Sequence, residues 1–196
     1  MKITLKKKFF ILFILIFVTI FIGNNLIYPY SYFSFVKSFS YDANNKVVDQ
    51  YKGKLTQFKS EYEDIYNSLN GTKKMDLTTD RIQYILRLYD QPSFISKEPT
   101  TISIEDLDTL LFRVEEIREL VIELSFQENY SISNKRRLQI LLESTIGIEE
   151  KIEELKKPTF YSRETLSTKY KDIHVSVMLH FNHLTIFFRE YTKENH

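Results

Sequence analysis

The chain of 196 residues contains no cysteine and no tryptophan, and only four glycines and four prolines. Without cysteine there is no disulfide framework, no zinc–thiolate site, no thiol nucleophile and no cysteine-borne lipid anchor. So few glycines and prolines argue against a turn-dense all-β fold and for long helices. Charge of one sign is missing from the N-terminal part: residues 1–37 carry Lys2, Lys6, Lys7, Lys8 and Lys37 and no acid. The rest of the chain is net acidic, which gives no support for a nucleic-acid-binding domain.

Several chemical signatures are missing too. The sequence has no Walker loop, no G-x-G-x-x-G, no G-x-S-x-G and no H-E-x-x-H. No Glu-x-x-His occurs, so a ferritin-like di-iron centre has no support. Glu115-Glu116 and Glu149-Glu150 sit among basic residues and read as solvated helix faces, not as an acid–base pair. No catalytic residue and no cofactor site is expected. Lys, Ile, Asn, Phe and Tyr are abundant together, which suits an AT-rich coding sequence, so the aromatic excess receives little functional weight.

What is present begins with an apolar run. Phe9 to Ile22 is 14 residues long with Thr19 included, a length that suits a signal-peptide core. The run resumes at Leu26-Ile27-Tyr28, however, giving 20 residues from Phe9 to Tyr28. A helix of that length rises about 30 Å and matches the hydrocarbon thickness of a bilayer. Pro29 supplies a stop. Tyr28, Tyr30 and Tyr32 suit the outer membrane–water interface. Cleavage needs small residues one and three positions before the cut. Gly23-Asn24-Asn25 ends on the wrong residue, and Ser38-Phe39-Ser40 lies far beyond the apolar core. The sequence therefore predicts a retained anchor, with Asn24 and Asn25 as the main objection, since amides inside lipid are costly. The lysines set the orientation: N-terminus in the cytoplasm, later residues outside. The expected divisions are a cytoplasmic tail over 1–8, a transmembrane signal anchor over 9–28, a linker over 29–44 and an extracytoplasmic helical domain over 45–196.

Within that domain the apolar residues recur at steps of three and four, the seam of an α-helix with coiled-coil-like spacing. Val48, Tyr51, Leu55, Phe58, Tyr62, Ile65 and Leu69 define a helix over about 45–70. It is capped by Asp42, Asn44 or Asn45 and stopped by Gly71. Leu107, Leu110, Val114, Ile117, Val121 and Leu124 define a second over about 103–128, with Ser103 and Asp106 as a capping box. Leu138, Leu141, Thr145, Ile148, Ile152 and Leu155 define a third over about 134–156, closed by Pro158. The short connection between the last two predicts antiparallel packing. Lys135-Arg136-Arg137 should then lie near Glu123 and Glu128, as solvated charge or, less plainly, as an anion site. A small helix over 79–90 is expected to turn Ile82, Ile85, Leu86 and Tyr89 inward, and QPSFISKEPTT reads as a loop.

Residues 173–188 (IHVSVMLHFNHLTIFF) carry no formal charge apart from histidine. Their alternation allows a β-hairpin, but the seam Leu166, Tyr170, Ile173, Val177, His180, Leu184, Phe187 and Tyr191 extends past both ends and favours a helix over about 163–192. The fold class is thus mainly α: one transmembrane helix followed by an antiparallel four-helix-bundle-like domain. His180 and His183 are weak candidates for a shared metal ion, set against a hydrogen-bonded core histidine. Val175, Leu179 and Ile186 face away from the seam and are candidate partner contacts. The expected function is non-catalytic: protein–protein interaction or assembly at the cell envelope, through an envelope protein or self-association. The alternative is a small-ligand or metal-binding domain with its pocket near His180, Tyr170 and Tyr191.

Overall fold

The first helix, α1 (Leu5–Ile27), contains the whole apolar run, and Lys7–Ile27 is long and apolar enough to cross a membrane. None of that segment's apolar window is buried against the rest of the protein. Helix formation is dictated by length and composition, since no charge interrupts the run after Lys8. The computed structural model describes residues 5–72, 76–126, 130–157 and 160–195. Glu128, Asn129 and Pro158, and residues 1–4 of the expected tail, lie outside them.

The remainder is mainly helical. A short strand β1 (Ser38–Tyr41) leads into α2 (Asn45–Thr72), followed by α3 (Leu77–Tyr89) and a single turn α4 (Pro92–Ile95). Strand β2 (Thr100–Ser103) runs directly into α5 (Ile104–Ser125); α6 (Ile132–Lys156) and α7 (Arg163–Asn195) complete the chain. At 1.5 Å per residue α7 is about 50 Å long.

Each seam becomes core. All six seam residues of α5, all six of α6 and all eight of α7 are buried; on α2 only Ile65 is half-buried. Residues 173–188 lie within one continuous helix. Local capping follows the side chains: Asn44 Oδ1 accepts from the backbone N–H groups of Lys46 and Val47. Ser103 and Asp106 form a reciprocal capping box. Gly71 does not stop α2, which continues to Thr72.

Helix directions follow from cross-helix bonds. Lys156 with Asp108 and Arg118 with Glu149 make α5 and α6 antiparallel. Lys169 with Glu154 and Arg137 with Glu190 do the same for α6 and α7. Arg81 with Glu123 sets α3 against α5. By contrast α2 runs parallel to α7: Tyr51 stacks edge-on to His174, and Glu61 pairs with Arg189 further along both helices. The small helix therefore takes a full place in the layer, with Ile82, Ile85, Leu86 and Tyr89 buried as the sequence predicts.

Two expectations need correction. QPSFISKEPTT is not a plain loop. Phe94 is buried and folds α4 with Pro92 in its first turn, and the β-branched Thr100–Ile102 stretch pairs with β1. The antiparallel register sets Phe39 opposite Ile102 and Tyr41 opposite Thr100. A lone two-stranded ribbon is marginal in water; this one persists because Phe39, Tyr41 and Ile102 sit in the core against α7. Secondly, among the described residues the basic cluster makes no ion pair with Glu123 of α5. Arg137 pairs with Glu190 of α7, while Glu123 is taken by Arg81, and Lys135 and Arg136 are exposed. Arg137 lies on the α7 side of α6, a rotation that the sum of charges does not reveal.

Candidate functional site

The uncharged stretch of α7 places its histidines inside the protein. His180 is fully buried, and its two ring nitrogens are both engaged. The Thr145 hydroxyl donates to the Leu141 carbonyl at 2.8 Å, so it accepts from His180 Nε2–H at 2.9 Å. Nδ1 then accepts from the Tyr89 hydroxyl. Tyr89 in turn receives the Tyr51 hydroxyl on its backbone carbonyl. One chain of hydrogen bonds thus ties α2, α3, α7 and α6 together through His180. Burial pushes the His180 imidazole down to about 3, so it stays neutral across the physiological range. With both nitrogens committed, His180 has no lone pair to offer a metal ion. His183 is half-buried beside it, and no group of three or more His, Asp or Glu converges among the described residues.

His174, six residues earlier, shares half the pattern: its Nε2 is buried without a hydrogen-bond partner among the described residues. Its Nδ1 lies 2.7 Å from the Tyr41 hydroxyl, and burial lowers its pKa to about 4. The tyrosines share this role. All eight buried tyrosines (Tyr30, Tyr41, Tyr51, Tyr62, Tyr89, Tyr130, Tyr170 and Tyr191) hydrogen-bond through their hydroxyls. The aromatic excess therefore has a structural use. It supplies large apolar rings whose polar tips all find partners, as buried hydroxyls require. Tyr30 belongs to this set: it is a core residue on Phe39 and not an interfacial one. The expected pocket near His180, Tyr170 and Tyr191 is filled by these contacts. A smaller hollow of about 290 Å³ does reach Tyr170, between α4, β2 and α5.

A larger concavity lies on the outer face between α3 and α5. It is a groove of about 750 Å³ with an apolar floor of Leu88, Ile117 and Leu120. Phe112 projects beside it, 59 % exposed, and Arg87 stacks on the Tyr84 ring at 4.9 Å. Arg81 closes one end, donating to both Glu123 oxygens at 2.8 and 3.0 Å and so holding that carboxyl below its usual range. The floor is hydrophobic and the rim charged, an arrangement suited to an apolar or aromatic segment with polar edges. Sequence reasoning missed this groove. The available signal was Phe112 and Tyr84, large rings that fall outside the core seams of their helices.

The candidate contact residues lie on α7, outside the groove lining. Val175 and Leu179 are exposed on α7, and Ile186 is half-buried. They do not join the groove. The chain matches no known protein family, no curated protein and no solved structure.

Proposed function

We propose that this is a single-pass, membrane-anchored protein that acts non-catalytically, in protein–protein interaction or assembly at the cell envelope. The observation that carries the reading is α1: an apolar helix of membrane-spanning length with nothing in the fold to cover it. The lysines before it favour a cytoplasmic N-terminus, which would hang the helical domain, in which α6 runs opposite to α2, α5 and α7, outside the cytoplasm. Confinement to the membrane raises the effective concentration of that domain for envelope partners, or for a second copy. The groove beside Phe112 and the exposed pair Val175 and Leu179 are the surfaces such a partner would use. Both nitrogens of His180 and the hydroxyls of the buried tyrosines are engaged in hydrogen bonds within the protein, which favours a scaffold over a reaction centre.

The test is direct. The full chain should stay with membranes through alkaline carbonate washing. Protease added to intact cells or protoplasts should reach the bundle. Photo-crosslinkers placed at Phe112 or Leu179 in the native membrane should give a discrete adduct. A monomer with no adduct from either position, or a mature chain beginning after α1, would end the proposal.

A second reading, a small-ligand binder, draws on the groove volume, which falls within the usual range of ligand pockets. A thermal-shift screen with metals and metabolites separates the two; no stabilisation by any compound disfavours the binder.

A further inference from the structure

The segment between α1 and β1 has its polarity inverted. Ser31 and Ser34 are 0 % and 5 % exposed, while Tyr32 and Phe35 are 75 % and 81 % exposed; Phe33 and Val36 are also open. A loop facing water would turn its serines out and its rings in. This loop also folds back along α1. The Phe35 ring meets the Phe21 ring edge-on at 5.6 Å. Phe21 lies six residues before the end of α1, so the loop reaches about 9 Å down the side of the helix.

Part of its backbone is paired within the protein. Ser31 N–H donates to the Tyr28 carbonyl and Ser34 N–H to the Ser31 carbonyl, forming two successive turns. The rest depends on Asn25, the amide that argues against a retained span in the sequence. Asn25 Nδ2 donates to the carbonyls of Phe21 and Phe33, both at 3.0 Å, and Oδ1 accepts from Phe35 N–H at 2.6 Å. Irregular backbone at membrane depth is tolerated only where protein groups satisfy it. Here one side chain of the span satisfies the Phe33 carbonyl and the Phe35 N–H.

From this geometry we propose that Tyr32–Val36 is a lipid-inserted loop, sunk beside α1 into the outer leaflet of a phospholipid bilayer. Asn25 is its positioning residue. Tyr32 and Lys37 mark its upper margin; Lys37 Nζ donates to the Ser31 carbonyl, leaving no bare ammonium among the rings. The inference rests on the reading of α1 as a retained span.

The chain lacks tryptophan, so a single introduced one is the only indole signal. Three variants of the full chain are reconstituted in phosphatidylcholine vesicles with and without brominated acyl chains. Phe35→Trp reports on the loop and Phe17→Trp on the span. Phe126→Trp reports on the far end of α5, where the native ring is also exposed. Phe35→Trp should lose most of its emission to the bromolipid and be blue-shifted, as should Phe17→Trp, while Phe126→Trp stays red-shifted and unquenched. Adding Asn25→Ala should leave Phe17→Trp quenched but release Phe35→Trp from the bromolipid. If Phe17→Trp is quenched and Phe35→Trp behaves like Phe126→Trp, the loop proposal is overturned and the anchor stands. If Phe17→Trp is not quenched either, the anchor itself is wrong and the loop proposal falls with it.

Discussion

His180 shows how much a single buried side chain can hold. Two of its neighbours, Tyr89 and Thr145, are on different helices, and neither nitrogen is spare. Tyr89→Phe keeps the ring and removes the donor, leaving Nδ1 buried without a partner. Such a loss costs about 1–3 kcal/mol, and thermal melts of the detergent-solubilised chain should show it. A pH dependence follows from the same groups. In the fold His180 and His174 are pushed down to about 3 and about 4 by burial. In the unfolded chain both take a proton below about pH 6.5. The unfolded state therefore binds more protons as pH falls from 6.5, and stability falls with it. The two histidines' contribution is fully present above pH 6.5. It is lost towards pH 4, each histidine adding a slope of up to about 1.4 kcal/mol per pH unit. Urea unfolding at several pH values should show that slope, and His174→Gln should reduce it. A flat profile between pH 6.5 and 4 would mean that the imidazoles are solvated.

Elements are set partly by local pattern and partly by distant partners, and the two were not equally readable. Every seam residue of α5, α6 and α7 is buried, because steps of three and four fix one face of a helix without knowledge of what lies opposite; Asn134 and Glu149 of α6 and His174, Phe181, Thr185 and Phe188 of α7 lie outside the seams and are buried by neighbours that the spacing does not reveal. The ribbon was not. Thr100–Ser103 becomes a strand only because Ser38–Tyr41, sixty residues earlier, lies alongside it. The site fared similarly: His180 was identified as a core position, but Tyr89 and Thr145 as its partners depend on the helix order. The groove was invisible, because it forms between two helices and not on either. Two predictions belong to this scale. Ser103 caps α5 while still forming part of β2, so Ser103→Ala should cost about 1 kcal/mol and loosen amide protection in both elements by hydrogen exchange. Glu149, expected on a solvated face, is instead buried: Arg118 of α5 donates to it at 2.6 Å, yet burial outweighs that cation and raises the Glu149 carboxyl. Removing the cation strands a buried carboxylate, whereas neutralising the acid does not. Arg118→Ala should therefore destabilise by about 1–3 kcal/mol and Glu149→Gln by much less. Equal losses in urea titrations would contradict this account.

At the scale of the whole molecule, the junction between α1 and the bundle decides the behaviour. Arg163, at the start of α7, donates to the Leu26 carbonyl through Nε and to the Ser38 carbonyl through Nη1, both at 2.8 Å. Tyr28 rests edge-on against Phe160. One guanidinium thus joins the end of the apolar helix, the first strand and the longest helix. Arg163→Ala should leave the bundle's melting temperature nearly unchanged but open residues 28–37 to limited proteolysis, read as a cut separating α1 from the rest. Resistance equal to the parent chain would show that the aromatic contacts suffice alone.

If α1 is the anchor proposed above, that junction would serve as a stiff neck in place of the supple tether of many surface proteins. A head on a supple tether tumbles and offers every face in turn. Were α1 upright in a bilayer, this head would keep a fixed altitude and a fixed tilt, and its only free turn would be about the membrane normal. Two such molecules drifting in one sheet would meet with their groove-bearing flanks already level, so recognition becomes a search through a single angle.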